Sequence, residues 1–143
     1  MTTIARPTWE EYAMALAVTA AIRSEDLHHR VGAALLRADH TVAGLGYNGA
    51  PAGVEVDWTD REARRPFVSH AESNALRYVH PGEVELLATT MMPCQVCLLL
   101  IAAYNIPRVI YLEELDPLVY ERSAVLTLAE RCDISLVQLQ YEL

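Results

Sequence analysis

The second half of the chain switches repeatedly between two hydrophobic periodicities. Short runs rich in apolar and β-branched residues, "VELLATTM" (84–91), "PRVIYLEE" (107–114) and "ISLVQLQ" (134–140), read as strands. Longer runs between them, "PCQVCLLLIAAYN" (93–105) and "PLVYERSAVLTLAERC" (117–132), read as helices. Pro93 is expected at the first helical position, where a missing N–H costs nothing. The third and fourth strands of the chain are then expected to run parallel, joined by a right-handed helical crossover.

The first half adds a different pattern. Thr8 stands before "WEEYAMALAVTAAIRS" (9–24), an apolar helical run with acidic residues in its first turn. "RVGAALLRADHTVAGLGYN" (30–48) reads as two short strands around the turn "RADH", which is short enough to force antiparallel pairing. "GYNGAPAGVEV" (46–56) is a Gly- and Pro-rich loop, and "HAESNALRYV" (70–79) is a helix ended by "HPG". The element order α-β-β-α-β-α-β-α-β specifies an α/β fold, a three-layer α/β/α sandwich around a five-stranded mixed sheet. Its expected core includes Val31, Ala33, Leu35, Leu86, Ala88, Val109, Ile110, Leu136 and Val137. With no linker, repeat or low-complexity tract, residues 1–143 are expected to form a single domain.

Charge narrows the partners. The net charge is −8, and long nucleic acid is not expected, because phosphate contacts need a basic stripe. All eleven basic residues are Arg, so neither a phosphate clamp nor a general base can be a lysine. No apolar run reaches the ~18 residues that span a bilayer, so no membrane partner is expected. "MTTIARPTWEEY" has no signal layout, and a cytoplasmic location is expected. The odd count of three cysteines argues against a disulfide framework. Cys132 is expected to be a buried, small apolar residue.

Cys94 and Cys97 remain to be explained. Cys-x-x-Cys in a reducing compartment is either a redox pair or half of a zinc site. His70 offers a third ligand, with Glu72 two residues on. Three protein ligands leave one tetrahedral position open, the mark of a catalytic rather than a structural zinc. His70 and Glu72, at i and i+2 on a helix, do not converge on one point. Glu72 is therefore expected to face the open position as a proton carrier, not as a ligand. The zinc is expected where the helices after His70 and Pro93 begin.

At these residues the sequence resembles the cytidine deaminase superfamily, and within it most of all the deoxycytidylate (dCMP) deaminase branch. "HAESNAL", "PCQVC", "GYNGAPAG" and "RSEDLHHRVGAAL" carry the resemblance, which covers roughly residues 9–116. It implies a zinc-dependent hydrolase that deaminates a small-molecule nucleotide, dCMP to dUMP plus ammonia. Zinc-bound hydroxide would attack C4, with Glu72 as proton shuttle. It also implies substrate contacts from Ala71 at the ring edge and Asn48 at the sugar or ring. Ser24 would meet the 5′-phosphate together with an arginine, Arg23 or Arg30. Asn48 also sits in a turn signal and Arg23 and Arg30 could be solvated charges, so each has a purely structural reading. Trp58 is either part of a flap over the site or a loop anchor. Leu115 stands where the branch often has an aromatic that stacks on the base. The resemblance implies a homo-oligomer. The alternative is a deaminase of another small heterocycle, such as a nucleoside, a free base or a cytosine-containing antibiotic. A nucleic-acid editing enzyme and a non-catalytic zinc module are the remaining readings.

Overall fold

The computed structural model describes residues 5–141. Helix α1 (Trp9–Ala21) precedes the hairpin of β1 (Gly32–Leu36) and β2 (Val42–Tyr47). A short helix α2 (Arg61–Arg64) and helix α3 (Ala71–Ala75) follow, each continued by a 3₁₀ turn. Then come β3 (Leu86–Met91), α4 (Gln95–Ala103), β4 (Arg108–Glu113), α5 (Arg122–Arg131) and β5 (Ser135–Gln138). The sheet order is β2-β1-β3-β4-β5. β1 is antiparallel to both neighbours, while β3, β4 and β5 run parallel. This is the three-layer mixed sheet that the alternating periodicities require.

The strand period of two divides the core between the sheet's faces. Ala34 and Leu36 of β1, Leu86 and Ala88 of β3 and Ile110 of β4 pack with Ala13, Met14 and Ala17 of α1. Ala33, Leu35, Leu87 and Val109 lie on the other face, with Ala71, Ala75, Leu98, Ile101, Val125 and Ala129 of α3, α4 and α5. Val31 and Leu136 are partly buried against this second cluster. Val137 does not join the core: it is 51% exposed. It pairs with Ile110, which puts it on the α1 face of the sheet. α1 lies chiefly over β1, β2 and β3, so the edge strand is left uncovered there.

Helix boundaries follow local chemistry. At the start of α1, Thr8 Oγ1 accepts from Glu11 N–H at 3.1 Å and Glu11 Oε1 accepts from Thr8 N–H at 2.9 Å. Such a reciprocal cap stabilises a helix start by about 1 kcal/mol. α1 ends at Ala21 rather than Ser24, because the Ser24 hydroxyl turns away to donate to the Asn48 carbonyl at 2.9 Å. α5 begins at Arg122, later than the apolar pattern implies. Residues 118–120 instead fold back on Asp116, whose carbonyl accepts from Val119 and Tyr120 and whose Oδ1 accepts from Leu118. Pro93 lies outside α4; the cap is Cys94, and the helix starts at Gln95. Cys132 is exposed, past the end of α5, not buried.

α2 falls within residues 57–68, which follow the Gly- and Pro-rich loop and carry no periodic pattern. Asp60 caps it by accepting from Glu62 and Ala63 N–H, and Pro66 stops it. Asp, helix formers and then Pro form a legible start and stop, but the segment is too short to show periodicity.

Candidate metal centre and active-site cleft

α3 sits against β2 because Gly44 and Gly46 let it. A Cβ on Gly46 would stand 2.4 Å from Ala75 N and 2.6 Å from Ala71 O. Real carbon contacts do not reach that distance, so α3 can approach only where the strand has no side chain. Asn74 Nδ2 donates to the Tyr47 carbonyl at 2.8 Å and pins the helix there. Ahead of it, Gly49 and Ser69 exchange backbone hydrogen bonds at 3.1 and 2.9 Å. His70 is thereby delivered to the helix start in an extended conformation, φ −72° and ψ 157°.

Cys94 has the same role on α4, with φ −73° and ψ 171°. Neither His70 nor Cys94 uses its side chain to cap its own helix. Both side chains are therefore free to meet at a common point. His70 Nδ1 lies 3.1 Å from Cys97 Sγ and 3.6 Å from Cys94 Sγ. All three ligand atoms lie within 4.8 Å of one another. Two sulfurs and one imidazole nitrogen are a donor set that suits zinc, and structural zinc sites close with a fourth ligand that is not found here among the described residues.

The protonation of these groups also fits a cation. The Cys97 thiol, donating to Cys94, holds Cys94 as a thiolate with a pKa lowered to about 4; burial opposes this, and His70 adds to it. Cys97 is pushed up, first by the hydrogen bond it gives Cys94, then by burial and the nearby Glu72. His70 is raised, chiefly by Cys94, against the effect of burial. The nearer sulfur to His70 is Cys97, but the negative charge that favours its imidazolium sits on Cys94. A buried cluster that shares protons among three soft donors is one in which a divalent cation can take the protons' place.

Glu72 is buried at 4% exposure and lines the same cleft as His70 and Cys94. Its Oε1 accepts from the Thr89 hydroxyl at 3.0 Å. Thr89, itself fully buried, also lies 2.9 Å from the Met91 carbonyl. A single hydroxyl proton serves two acceptors, and the carboxylate is held in one orientation from the sheet side.

The cleft has a cavity volume of about 150 Å³ and opens to solvent at its mouth. Ala71 and Asn48 line it with His70, Cys94 and Glu72. Asn48 is fully engaged: Nδ2 donates to the His29 carbonyl at 2.9 Å and Asp26 Oδ2 at 3.2 Å, and Oδ1 accepts from Val31 N–H at 2.9 Å. Ser24 is buried behind it and is not a lining residue. Arg23 and Arg30 are exposed and lie outside the lining; Arg23 rests over the Tyr47 ring at 6.0 Å. The arginines that line the cleft are Arg61, Arg64 and Arg65. Trp58 packs beneath Arg64, with the guanidinium 5.6 Å from its ring centre. Leu115, 7% exposed, and Tyr120 also line the cleft. Burial raises the Tyr120 phenol. The sequence reading missed Arg61, Arg64, Arg65 and Tyr120. For the arginines the run "DREARRP" was visible, but nothing local in it points to a cleft.

Residues 7–113 match the family described as "Cytidine and deoxycytidylate deaminase zinc-binding region". The deoxycytidylate deaminase of Mycobacterium phage D29 is 38% identical, over 78% of this chain and 99% of its own. The human deoxycytidylate deaminase is 33% identical over 74% of this chain, and the match spans 65% of the human protein. The dCMP deaminase of cyanophage S-TIM5, solved with dCMP and dUMP, superposes with a TM-score of 0.78 at 23% identity; it covers 95% of this chain and 100% of that one. The family's zinc-binding region thus contains His70, Cys94 and Cys97, and the chain belongs to the cytidine and deoxycytidylate deaminase family.

Proposed function

We propose that residues 1–143 act as one zinc-dependent deaminase domain that hydrolyses dCMP to dUMP and ammonia. One observation carries the reading: a buried carboxylate, Glu72, lines the same cleft as His70 and Cys94, two of the three donors of a possible zinc site. The relatives named for that reaction, the phage and human deoxycytidylate deaminases, support the choice of substrate.

His70, Cys94 and Cys97 would hold the zinc. When bound, zinc supplies Lewis acidity and a water whose pKa is lowered to about 7. Glu72 moves the protons. Its carboxylate takes one from the attacking water and gives it to N3 of the cytosine. It then carries the second to the exocyclic nitrogen as the C4–N bond breaks. The oxygen stays on C4, ammonia leaves, and the balance is dCMP plus water to dUMP plus ammonia. Thr89 holds Oε1, which fixes the carboxylate while these transfers occur. Ala71 and Asn48 line the cleft, which supports their reading as neighbours of the ring and sugar. Asn48 acts there mainly by shaping the wall, because its side chain is already satisfied.

We propose a homo-oligomer. Val96 and Leu99 of α4 and Leu126 of α5 point outward, and Val96 is 75% exposed. Apolar side chains gathered on neighbouring helices support packing against a second copy. Among the described residues no helix is long and apolar enough to cross a membrane. The three free thiols suit a reducing, cytoplasmic setting.

The test is ammonia release from dCMP, CMP, deoxycytidine, cytosine, adenosine and guanine in parallel, with metal analysis of the same protein. Turnover of dCMP well above deoxycytidine is expected. Turnover of a purine alone, or none with zinc bound, would overturn the substrate assignment.

A further inference from the structure

Among the described residues, Arg64 Nη1 is the one fully buried side-chain nitrogen or oxygen that lacks a well-aligned hydrogen bond. It lies 2.7 Å from Asp26 Oδ1, an ion pair without a well-aimed N–H. Asp26 is already crowded. Its Oδ1 accepts from His28 N–H at 2.7 Å and His29 N–H at 3.0 Å, and Oδ2 accepts from Asn48. Asp26 thus engages Nη1, while no hydrogen bond from the rest of the Arg64 guanidinium is found among the described residues. Trp58 supplies a flat support on one side of the guanidinium. An arginine 8% exposed, held on two sides and short of acceptors, lines the cleft that also contains Glu72. A buried cation with unfilled donors is costly unless a ligand completes it.

A second cation stands beside it. Arg61 is about half exposed and reaches across the cleft to Asp116, but only at 3.6 Å. That contact is loose enough for a stronger anion to replace. Arg61 and Arg64 lie three apart on α2, so their side chains occupy one face of the helix.

We infer that Arg64, braced by Asp26 and Trp58, is the specificity-determining residue for the phosphate of the substrate, with Arg61 as the second, movable cation. The ligand class is a phosphate monoester. This inference rests on the nucleotide reading above and reassigns its phosphate contact from the 23–30 loop to α2. The fork of the guanidinium suits phosphate oxygens, and the chain has no lysine to compete for the role. Glu72 and the metal donors serve the ring; α2 decides whether that ring must carry a phosphate.

The experiment compares wild type, Arg64→Gln, Arg64→Lys and Arg61→Gln, each loaded with zinc. Inorganic phosphate, dUMP and deoxyuridine are titrated calorimetrically, and dCMP and deoxycytidine kinetics are measured alongside. Arg64→Gln is expected to weaken dUMP by about 10- to 100-fold and leave deoxyuridine nearly unchanged, the range for losing a charged hydrogen bond. Arg64→Lys, which keeps the charge but not the fork, is expected to recover part of the loss. Arg61→Gln is expected to weaken dUMP about 3- to 10-fold, as a partly solvated contact should. It also leaves the braced Arg64 untouched, so its result does not depend on the fold surviving the loss of Arg64. If dUMP and deoxyuridine weaken by the same factor in Arg64→Gln, or neither changes, the inference is overturned. If wild type binds phosphate through Arg64 yet does not turn over dCMP, the inference stands and the proposed reaction fails.

Discussion

At the floor of the cleft, His70 and Cys94 cap helices that rest on the sheet, and Cys97 and Glu72 lie within the first turn of those helices. Each ligand's position is set by its own element, and for His70 also by the glycines of β2 that let α3 approach. At the side wall, Arg64 belongs to a four-residue helix, and its position depends on Asp26 in a separate loop and on Trp58. The floor is held by regular structure; the wall is held by side chains reaching between irregular segments. The difference teaches where tolerance lies. Chemistry placed on rigid elements survives loop variation, while recognition placed on loops can be rebuilt without disturbing it.

The largest effect should come from the floor. Glu72→Gln keeps the shape and removes the proton carrier, so turnover is expected to fall about 10³-fold or more with zinc retained. Ammonia release and metal analysis on one sample check this. Loss of zinc together with activity would mean that Glu72 is part of the metal site, and the floor would need redrawing.

Gly46→Ala comes next. It touches no ligand, but its Cβ would overlap the backbone of α3. Overpacking of this kind costs about 1–3 kcal/mol. The expected outcome is a lower melting temperature and weaker zinc retention, measured by thermal denaturation and by competition with a chelator. An unchanged zinc affinity would show that α3 is placed by something other than its contact with β2. Thr89→Val probes the same floor more gently. Removing the hydroxyl while keeping the volume is expected to lower kcat about 10-fold, with KM little changed. A rise in KM at constant kcat would instead assign Thr89 to substrate binding.

The floor was legible in the sequence for the reason it is rigid. His70-Ala71-Glu72 and Cys94-x-x-Cys97 are local patterns at helix starts, and a helix start fixes the direction of a side chain. The sheet was legible because its periodicities are local too. The wall was not. The resemblance carried by "RSEDLHHR" implied Arg23 or Arg30 as the arginine near a phosphate. In the fold Asp26 is buried and draws in Arg64, while Arg23 lies on the Tyr47 ring and Arg30 faces solvent. An ion pair between distant segments leaves no periodic trace. Val137 failed for a related reason: strand alternation names the face but not what covers it, and α1 stops short of the edge strand.

The smallest effect separates wall from floor by pH. Burial works to raise the Asp26 carboxyl, but the Arg64 guanidinium and the His29 and His28 N–H groups outweigh it, so the group titrates below its ordinary value of 3.8. A carboxyl whose folded pKa is depressed stabilises the fold fully above the unfolded value. That stabilisation is lost as pH falls through the folded value. Asp26→Asn removes the titration but keeps much of the hydrogen bonding. The melting temperatures of wild type and Asp26→Asn, followed from pH 7 to pH 3, are therefore expected to differ most at neutral pH and to converge below about pH 4. A gap that stays constant down to pH 3 would show that the charge on Asp26 contributes nothing. The wall would then be held by packing against Trp58, and its tolerance of change would be set by shape rather than by charge.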